Sequence, residues 1–295
     1  MTDIRRVVVL GHTGFIGLHV VEQFRQLSPG LQVAGLSYPE LDLTRLDAAR
    51  GVLTSYMDTS TALIVLSGIK RQLGDTPEIF HKNLSMIVNL GQLLEERPVA
   101  RVVFMSSGAV YGEEIDDRAI SEDTPVHPVS YYGIAKYASE GLLERVCRAK
   151  GISLVSVRPP LVYGPGDASS CYGPVVFVRT ALASKSITLW GEGDELREFL
   201  YVGDLARIIH GVLFLDYSGT INAVSGQSWT FRDVLDALSE SMGKPVRVIQ
   251  RERTRAKVDN VFDASRIRQL LPGVLFTSLH DGVKKTFRSE AAVSE

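Results

Sequence analysis

Cysteine is nearly absent from this chain of 295 residues, with Cys147 and Cys171 its two thiols. Two thiols are too few for a disulfide scaffold or for a structural zinc site built on Cys pairs, so no metal is expected and the compartment should be reducing. Long apolar runs are lacking as well. None approaches the roughly 18 residues of a membrane helix, and behind Asp3 the first apolar run, Val7 to Leu10, is shorter than a secretory h-region. A cytoplasmic protein with no membrane partner is expected. Charge of one sign is also missing: 32 basic and 34 acidic residues sum to −2, which excludes a bulk basic field for coating nucleic acid. With 45% hydrophobic and 22% charged residues, the chain has the composition of an ordinary folded protein. Its length suits about two domains, or one large α/β unit.

What is present is alternation. The runs Val7 to Leu10, Leu31 to Leu36, Ala62 to Leu66, Val102 to Met105 and Leu154 to Val157 are short, rich in β-branched residues and apolar at nearly every position. Strands buried on both faces of a parallel sheet have this texture. Helical patterns with legible ends lie between them. Thr44 is placed to cap a helix with Asp47 as its third residue, and Thr76-Pro77 sets a cap before a proline at the first helical position. From about Ser130 a helix with apolar positions Ala138, Leu142 and Val146 runs to Gly151. The pattern predicts an α/β fold, a doubly wound parallel sheet of the Rossmann type.

After Arg158 the texture changes. Pro159, Pro160, Pro165 and Pro174, with Gly164, Gly166 and Gly173, break the βα rhythm and open a smaller, mixed α/β lobe. Thr230 to Ser241 still has the pattern of a capped amphipathic helix ended by Gly243 and Pro245, with a short strand over Val246 to Ile249.

Gly11-His12-Thr13-Gly14-Phe15-Ile16-Gly17 follows the first strand and opens the first helix. Glycines allow a tight turn and close approach of the backbone to a pyrophosphate, whose charge is stabilised by the free N–H groups of the helix N-terminus. The chain thus divides into a dinucleotide-binding domain over 1–165, regaining segments near 205–230, and a mainly substrate-binding lobe over 166–295. The second strand ends in Leu36-Ser37-Tyr38-Pro39, without the carboxylate that holds ribose hydroxyls or the cation that accepts a 2′-phosphate. Asp42 is a candidate for the adenine ring and His12 for a 2′-phosphate, so the cofactor is NAD or NADP.

Tyr132 and Lys136 lie four residues apart in the helix from Ser130, on one face, with about 6 Å of rise between them. A neighbouring ammonium favours the phenolate, so Lys136 is expected to lower the pKa of Tyr132 toward the useful range and to hold the nicotinamide ribose. Ser106-Ser107-Gly108-Ala109-Val110-Tyr111-Gly112 stands at the carboxyl end of the fourth strand, where a serine hydroxyl can bond a substrate carbonyl or alkoxide.

The glycine turn, the Ser-Ser-x-x-Val-Tyr-Gly segment, the Tyr-Gly-x-x-Lys helix and Val162-Tyr163-Gly164-Pro165-Gly166 together resemble the extended short-chain dehydrogenase/reductases, specifically the nucleotide-sugar epimerase/dehydratase family. The resemblance runs from about residue 5 to 285. It implies that Ser107, Tyr132 and Lys136 are catalytic and that Ser107 also touches substrate. Gly11, His12, Thr13, Gly14, Phe15, Ile16 and Gly17 would hold the cofactor, together with Leu66, Ser67, Gly68, Asn83, Pro159, Val162, Tyr132 and Lys136. Arg197, in Arg197-Glu198-Phe199-Leu200-Tyr201-Val202-Gly203-Asp204, matches the family's diphosphate-binding arginine, and Arg253, in a basic run with Arg251, Arg255 and Lys257, matches a second. Planar guanidinium donors suit that task. One departure is Leu161, which stands where the family has an asparagine that helps hold the nucleotide sugar.

The resemblance leaves three reactions to weigh. Gly108-Ala109 after Ser107 lacks the acid and base a 4,6-dehydratase needs, which disfavours dehydration. Reduction of a keto group, with Tyr132 as proton donor, is the leading expectation; a 4-epimerase with retained NAD is the alternative, and a non-catalytic dinucleotide-binding regulator the second. The family also implies a homodimer through helices near 78 to 95 and 131 to 149.

Overall fold

Alternate residues of each short apolar run point to opposite faces of one sheet. Strand pleating makes that alternation obligatory, so a run apolar at every position demands cover on both sides. In a computed structural model, which describes residues 4–112, 115, 117–168, 173–254 and 256–294, this cover is supplied by helices. Cys171 and Arg255 lie outside the described residues.

Six parallel strands form the sheet: β1 (Arg6–Leu10), β2 (Gln32–Leu36), β3 (Thr61–Val65), β4 (Arg101–Met105), β6 (Ser153–Arg158) and β11 (Gly219–Asn222), in the order β11-β6-β4-β3-β1-β2. Val7, Val9, Ala62, Ile64, Val103 and Met105 face α1 (Phe15–Leu27) and α6 (Val202–Leu213). Val8, Leu10, Leu63, Val65, Val102 and Phe104 face α2 (Leu46–Leu53), α3 (Pro77–Glu96) and α4 (Tyr131–Lys150). Each fully buried Val, Leu, Ile or Phe side chain among them contributes about 1.5–3 kcal/mol. The sheet is therefore doubly wound, and its carboxyl edge is where the strand ends and helix starts converge.

The smaller lobe has its own core, in which Phe177, Leu189, Phe199, Phe231 and Leu238 are buried together. It is built on α5 (Pro174–Leu182), α7 (Phe231–Met242), α9 (Leu279–Ser294) and paired short strands. β7 (Leu161–Tyr163) runs parallel to β10 (Phe199–Tyr201), and β8 (Ile187–Trp190) parallel to β13 (Val248–Arg251). β9 (Leu196–Arg197) is antiparallel to β12 (Trp229–Thr230). β5 (Asp117–Ile120) pairs with β14 (Asn260–Phe262), and α8 (Ser265–Leu270) follows.

Most of the helix ends lie where their residues put them. Thr76 accepts from the Ile79 N–H with Pro77 at the first position, Ser130 accepts from the Gly133 N–H, and Gly151 closes α4 in the left-handed region. Thr230 and Asp233 form a reciprocal capping box on α7. Three details differ. Thr44 does not cap α2, because its N–H and hydroxyl both donate to Asp42 Oδ1, at 3.0 and 2.6 Å, and Arg45 takes the cap position instead. Ala138 is exposed, and the buried stripe of α4 runs through Ala135, Ser139, Leu143 and Val146. The strand expected over Val246 to Ile249 begins two residues later, at Val248, where it finds β8.

Candidate active site

The turn between β1 and α1 requires its glycines. Gly11 has φ of +89°, and a Cβ there would lie 2.9 Å from the Ser67 nitrogen; at Gly17 a Cβ would lie 2.2 Å from the Gly11 carbonyl oxygen. Ser37 braces the turn from the end of β2, its hydroxyl accepting from the Thr13 N–H at 3.1 Å and bonded to His12 Nδ1 at 2.9 Å. Helix α1 starts at Gly14 with no side-chain cap among the described residues. Its first N–H groups have no intrahelical acceptor, which makes this end a donor set for a pyrophosphate.

Leu66, Ser67 and Gly68 follow β3, and the first two lie against that turn. Asn83 fixes the next residue through both amide atoms: the Ile69 N–H donates to its Oδ1 at 2.7 Å and its Nδ2 donates to the Ile69 carbonyl at 3.0 Å. Asp42 is engaged by Thr44 and does not line the cavity described below.

Two loops converge on the start of α4. Ser130 caps it from within, while Asp75, from the loop after β3, accepts the Tyr132 N–H at 3.0 Å. One turn on, the buried Lys136 ammonium donates to the Met105 carbonyl at 2.7 Å and sits 5.8 Å from the centroid of the Tyr132 ring. Ser107 follows β4, with its Oγ accepting from the Ala109 N–H at 3.1 Å and its side chain facing the Tyr132 phenol. Burial pushes the phenol up to about 12, opposed by the Ser107 hydroxyl. The lowering expected from Lys136 is therefore not found. The ammonium is turned to the Met105 carbonyl, and burial pushes Lys136 itself down to about 8 against the opposing charge of Glu140.

Tyr132 and Ser107 line a cavity of about 470 Å³ together with Phe15, Pro159, Val162 and Arg197. Ile16 and Ser106 line it too, and the buried Ser106 hydroxyl has no partner among the described residues. A glycine cradle, an uncapped helix start and an unpartnered hydroxyl beside Ser107 fit a bound dinucleotide. Arg197 donates to the Leu196 and Val258 carbonyls and lies 3.4 Å from Glu195. Arg253 stands behind it, paired with Asp194 at 2.6 Å and Glu195 at 2.7 Å.

Residue pattern does not single out two further features. Glu198, next to Arg197, is 1% exposed and lines the cavity; its Oε1 accepts from the Ser225 and Gly226 N–H groups, while Oε2 has no partner among the described residues. Burial pushes this carboxyl up to about 7. Lys70, from the loop after β3, is 45% exposed, lies 3.4 Å from the buried Asp167 and stands 5.4 Å over the Phe15 ring.

Comparison with known proteins meets this geometry. Residues 7–222 match the NAD dependent epimerase/dehydratase family. The chain belongs to that family. A dTDP-4-dehydro-6-deoxy-D-allose reductase of a Streptomyces species is 28% identical, with 90% of each chain covered. An uncharacterized UDP-glucose epimerase of Bacillus subtilis is 26% identical, covering 94% of this chain and 95% of that one. The UDP-glucose 4-epimerase of Thermus thermophilus, solved with NAD, superposes with a TM-score of 0.83 at 27% identity, covering 96% of this chain and 98% of the other. As a member of the epimerase/dehydratase family, this protein is an enzyme that works with NAD or NADP. Among its described residues, no helix is long and apolar enough to cross a membrane.

Proposed function

We propose that this enzyme reduces a keto group of a nucleotide-linked sugar. The observation that carries the reading is the Tyr132 phenol facing Ser107 in one cavity with Arg197, the phenol holding its proton at neutral pH and burial raising it further above its ordinary value of 10. A proton donor must hold its proton until the carbonyl oxygen gains charge. When bound, the nicotinamide supplies hydride to the carbonyl carbon. Tyr132 gives its proton to the carbonyl oxygen, and Ser107 bonds the same oxygen as charge develops. Lys136 is held between the Met105 carbonyl and the Tyr132 ring, and would hold the ribose hydroxyls of a bound cofactor. Arg197, with Arg253 behind it, takes the substrate's diphosphate. Gly108-Ala109 offers no acid or base for elimination, which argues against dehydration. The reductase among the relatives supports the same class of reaction.

A second reading, a 4-epimerase that keeps its NAD, is favoured by one observation. The segment after β7 is fastened to the cofactor side twice, by His19 Nε2 to the Pro165 carbonyl at 2.9 Å and by the Lys70–Asp167 pair, which would slow cofactor exchange. The ultraviolet spectrum of the purified protein separates the two. A reductase leaves gel filtration without nicotinamide and consumes NAD(P)H with a nucleotide-linked keto sugar; an epimerase carries nicotinamide through the column and shows no net consumption.

The same proposal includes a homodimer through α3 and α4. Val88, Ile134 and Tyr137 expose apolar surface on those helices, at 38%, 40% and 47%. Burying it against a second copy is favourable.

A further inference from the structure

Glu195 offers both of its carboxylate oxygens to arginines. Oε2 lies 3.4 Å from Arg197 Nη2 and Oε1 lies 2.7 Å from Arg253 Nη1, while Oε1 also accepts the Val258 N–H at 3.2 Å. These two guanidinium groups are the ones proposed to take the substrate's diphosphate. Asp194, the other acid on Arg253, differs in having a lysine as well: Lys257 Nζ stands 3.0 Å from it.

A guanidinium fork binds carboxylate and phosphate oxygens with the same geometry. A carboxylate held between two guanidinium groups, by one nitrogen of each, therefore sits where a phosphoryl group would sit. We propose that Glu195 is an internal occupant of the anion position between Arg197 and Arg253, and that the substrate's diphosphate must displace it to bind. The three side chains are each about a fifth exposed, at 20%, 18% and 22%, so the displaced carboxylate has a short path to water. Partial burial also limits screening of the pairs, which makes the competition felt at ordinary ionic strength. Glu195 then acts as an affinity-setting residue. It neutralises the arginines in the free enzyme, and a diphosphate, with more oxygens and more charge than one carboxylate, outcompetes it where weaker anions do not.

The inference rests on the reading that Arg197 and Arg253 hold the diphosphate, and one calorimetric series tests both. UDP, GDP and dTDP are titrated into the wild type, Glu195→Gln and Arg197→Ala. Glutamine keeps an acceptor for the Val258 N–H and removes the charge, and Glu195→Ala serves as the second variant should the glutamine protein not fold. Whichever nucleotide binds the wild type is expected to bind the Glu195 variant about five-fold more tightly, as for removal of a partly exposed carboxylate that competes for the two arginines. Unchanged or weaker binding, with Arg197→Ala still impaired, overturns the role of Glu195 alone. Undiminished binding to Arg197→Ala, or binding of none of the three nucleotides to the wild type, overturns the diphosphate reading beneath it.

Discussion

Arg158 grips Glu140 at two points, Nε to Oε1 at 2.9 Å and Nη2 to Oε2 at 2.6 Å, with both side chains buried. Glu140 lies one turn beyond Lys136 on α4, and Arg158 ends β6, so the pair ties the helix carrying Tyr132 to the carboxyl edge of the sheet. The grip continues, since Arg158 donates to the Tyr111 hydroxyl at 2.9 Å and that hydroxyl donates to Asn222 Oδ1 at 2.8 Å. Strands β6 and β11 and the helix are thus held by one buried polar network.

Removing one partner leaves a buried charge without its counterion. Glu140→Ala is expected to cost about 3–5 kcal/mol in urea unfolding, whereas replacing both partners by apolar residues should cost less. A single variant as stable as the wild type would show that the pair does not anchor α4.

The glycine turn makes a sharper demand. A Cβ at Gly17 would meet the Gly11 carbonyl oxygen at 2.2 Å and His12 Cα at 2.7 Å, so Gly17→Ala must open the turn. The expected result is a loss of at least about ten-fold in NAD(P)H affinity by fluorescence titration, with about 1–3 kcal/mol of lost stability from overpacking. Wild-type affinity would contradict the placement of the cofactor here.

Glu198 predicts a pH dependence. Its folded value, raised by burial from about 4.5 to about 7, means that the folded state holds the proton more tightly than the unfolded state. The stability this contributes is fully present below about pH 4.5 and is lost as pH rises through about 7. Relative to Glu198→Gln, the wild type should lose on the order of 3 kcal/mol across that window. Urea midpoints measured for both proteins against pH check it, and parallel profiles would contradict it.

The dimer proposal has its own variant. Ile134→Asp places a charge on the exposed apolar face of α4 and should shift the protein from dimer to monomer in sedimentation, with dinucleotide binding retained. A wild-type protein that sediments as a monomer would remove the proposal.

The sheet and the turn are readable because their determinants are local. Val7 to Leu10 is apolar at every position because β1 is covered on both faces, and the glycines that follow permit a turn that larger residues would block. What pattern misses depends on distant partners. Thr44 has the composition of a cap, yet Asp42 two residues earlier captures it. Spacing alone predicts that Lys136 lowers the Tyr132 pKa, but the Met105 carbonyl, 31 residues away in sequence, claims its ammonium. Nothing in the spacing around Glu198 marks it; only the fold reveals that it turns inward to the N–H groups of Ser225 and Gly226. Glu195 likewise acquires its two arginines only when residues 197 and 253 are brought together.

The central claim is that Tyr132 delivers the proton in a keto reduction, and the most direct measurement compares Tyr132→Phe with the wild type in NAD(P)H consumption with a nucleotide-linked 4-keto-6-deoxy sugar. Loss of the phenol should lower turnover by about 10²–10⁴-fold, the usual weight of a positioned acid or base. Dinucleotide affinity should stay within about two-fold of the wild type, because the glycine turn is untouched. Turnover equal to that of the wild type would contradict the account.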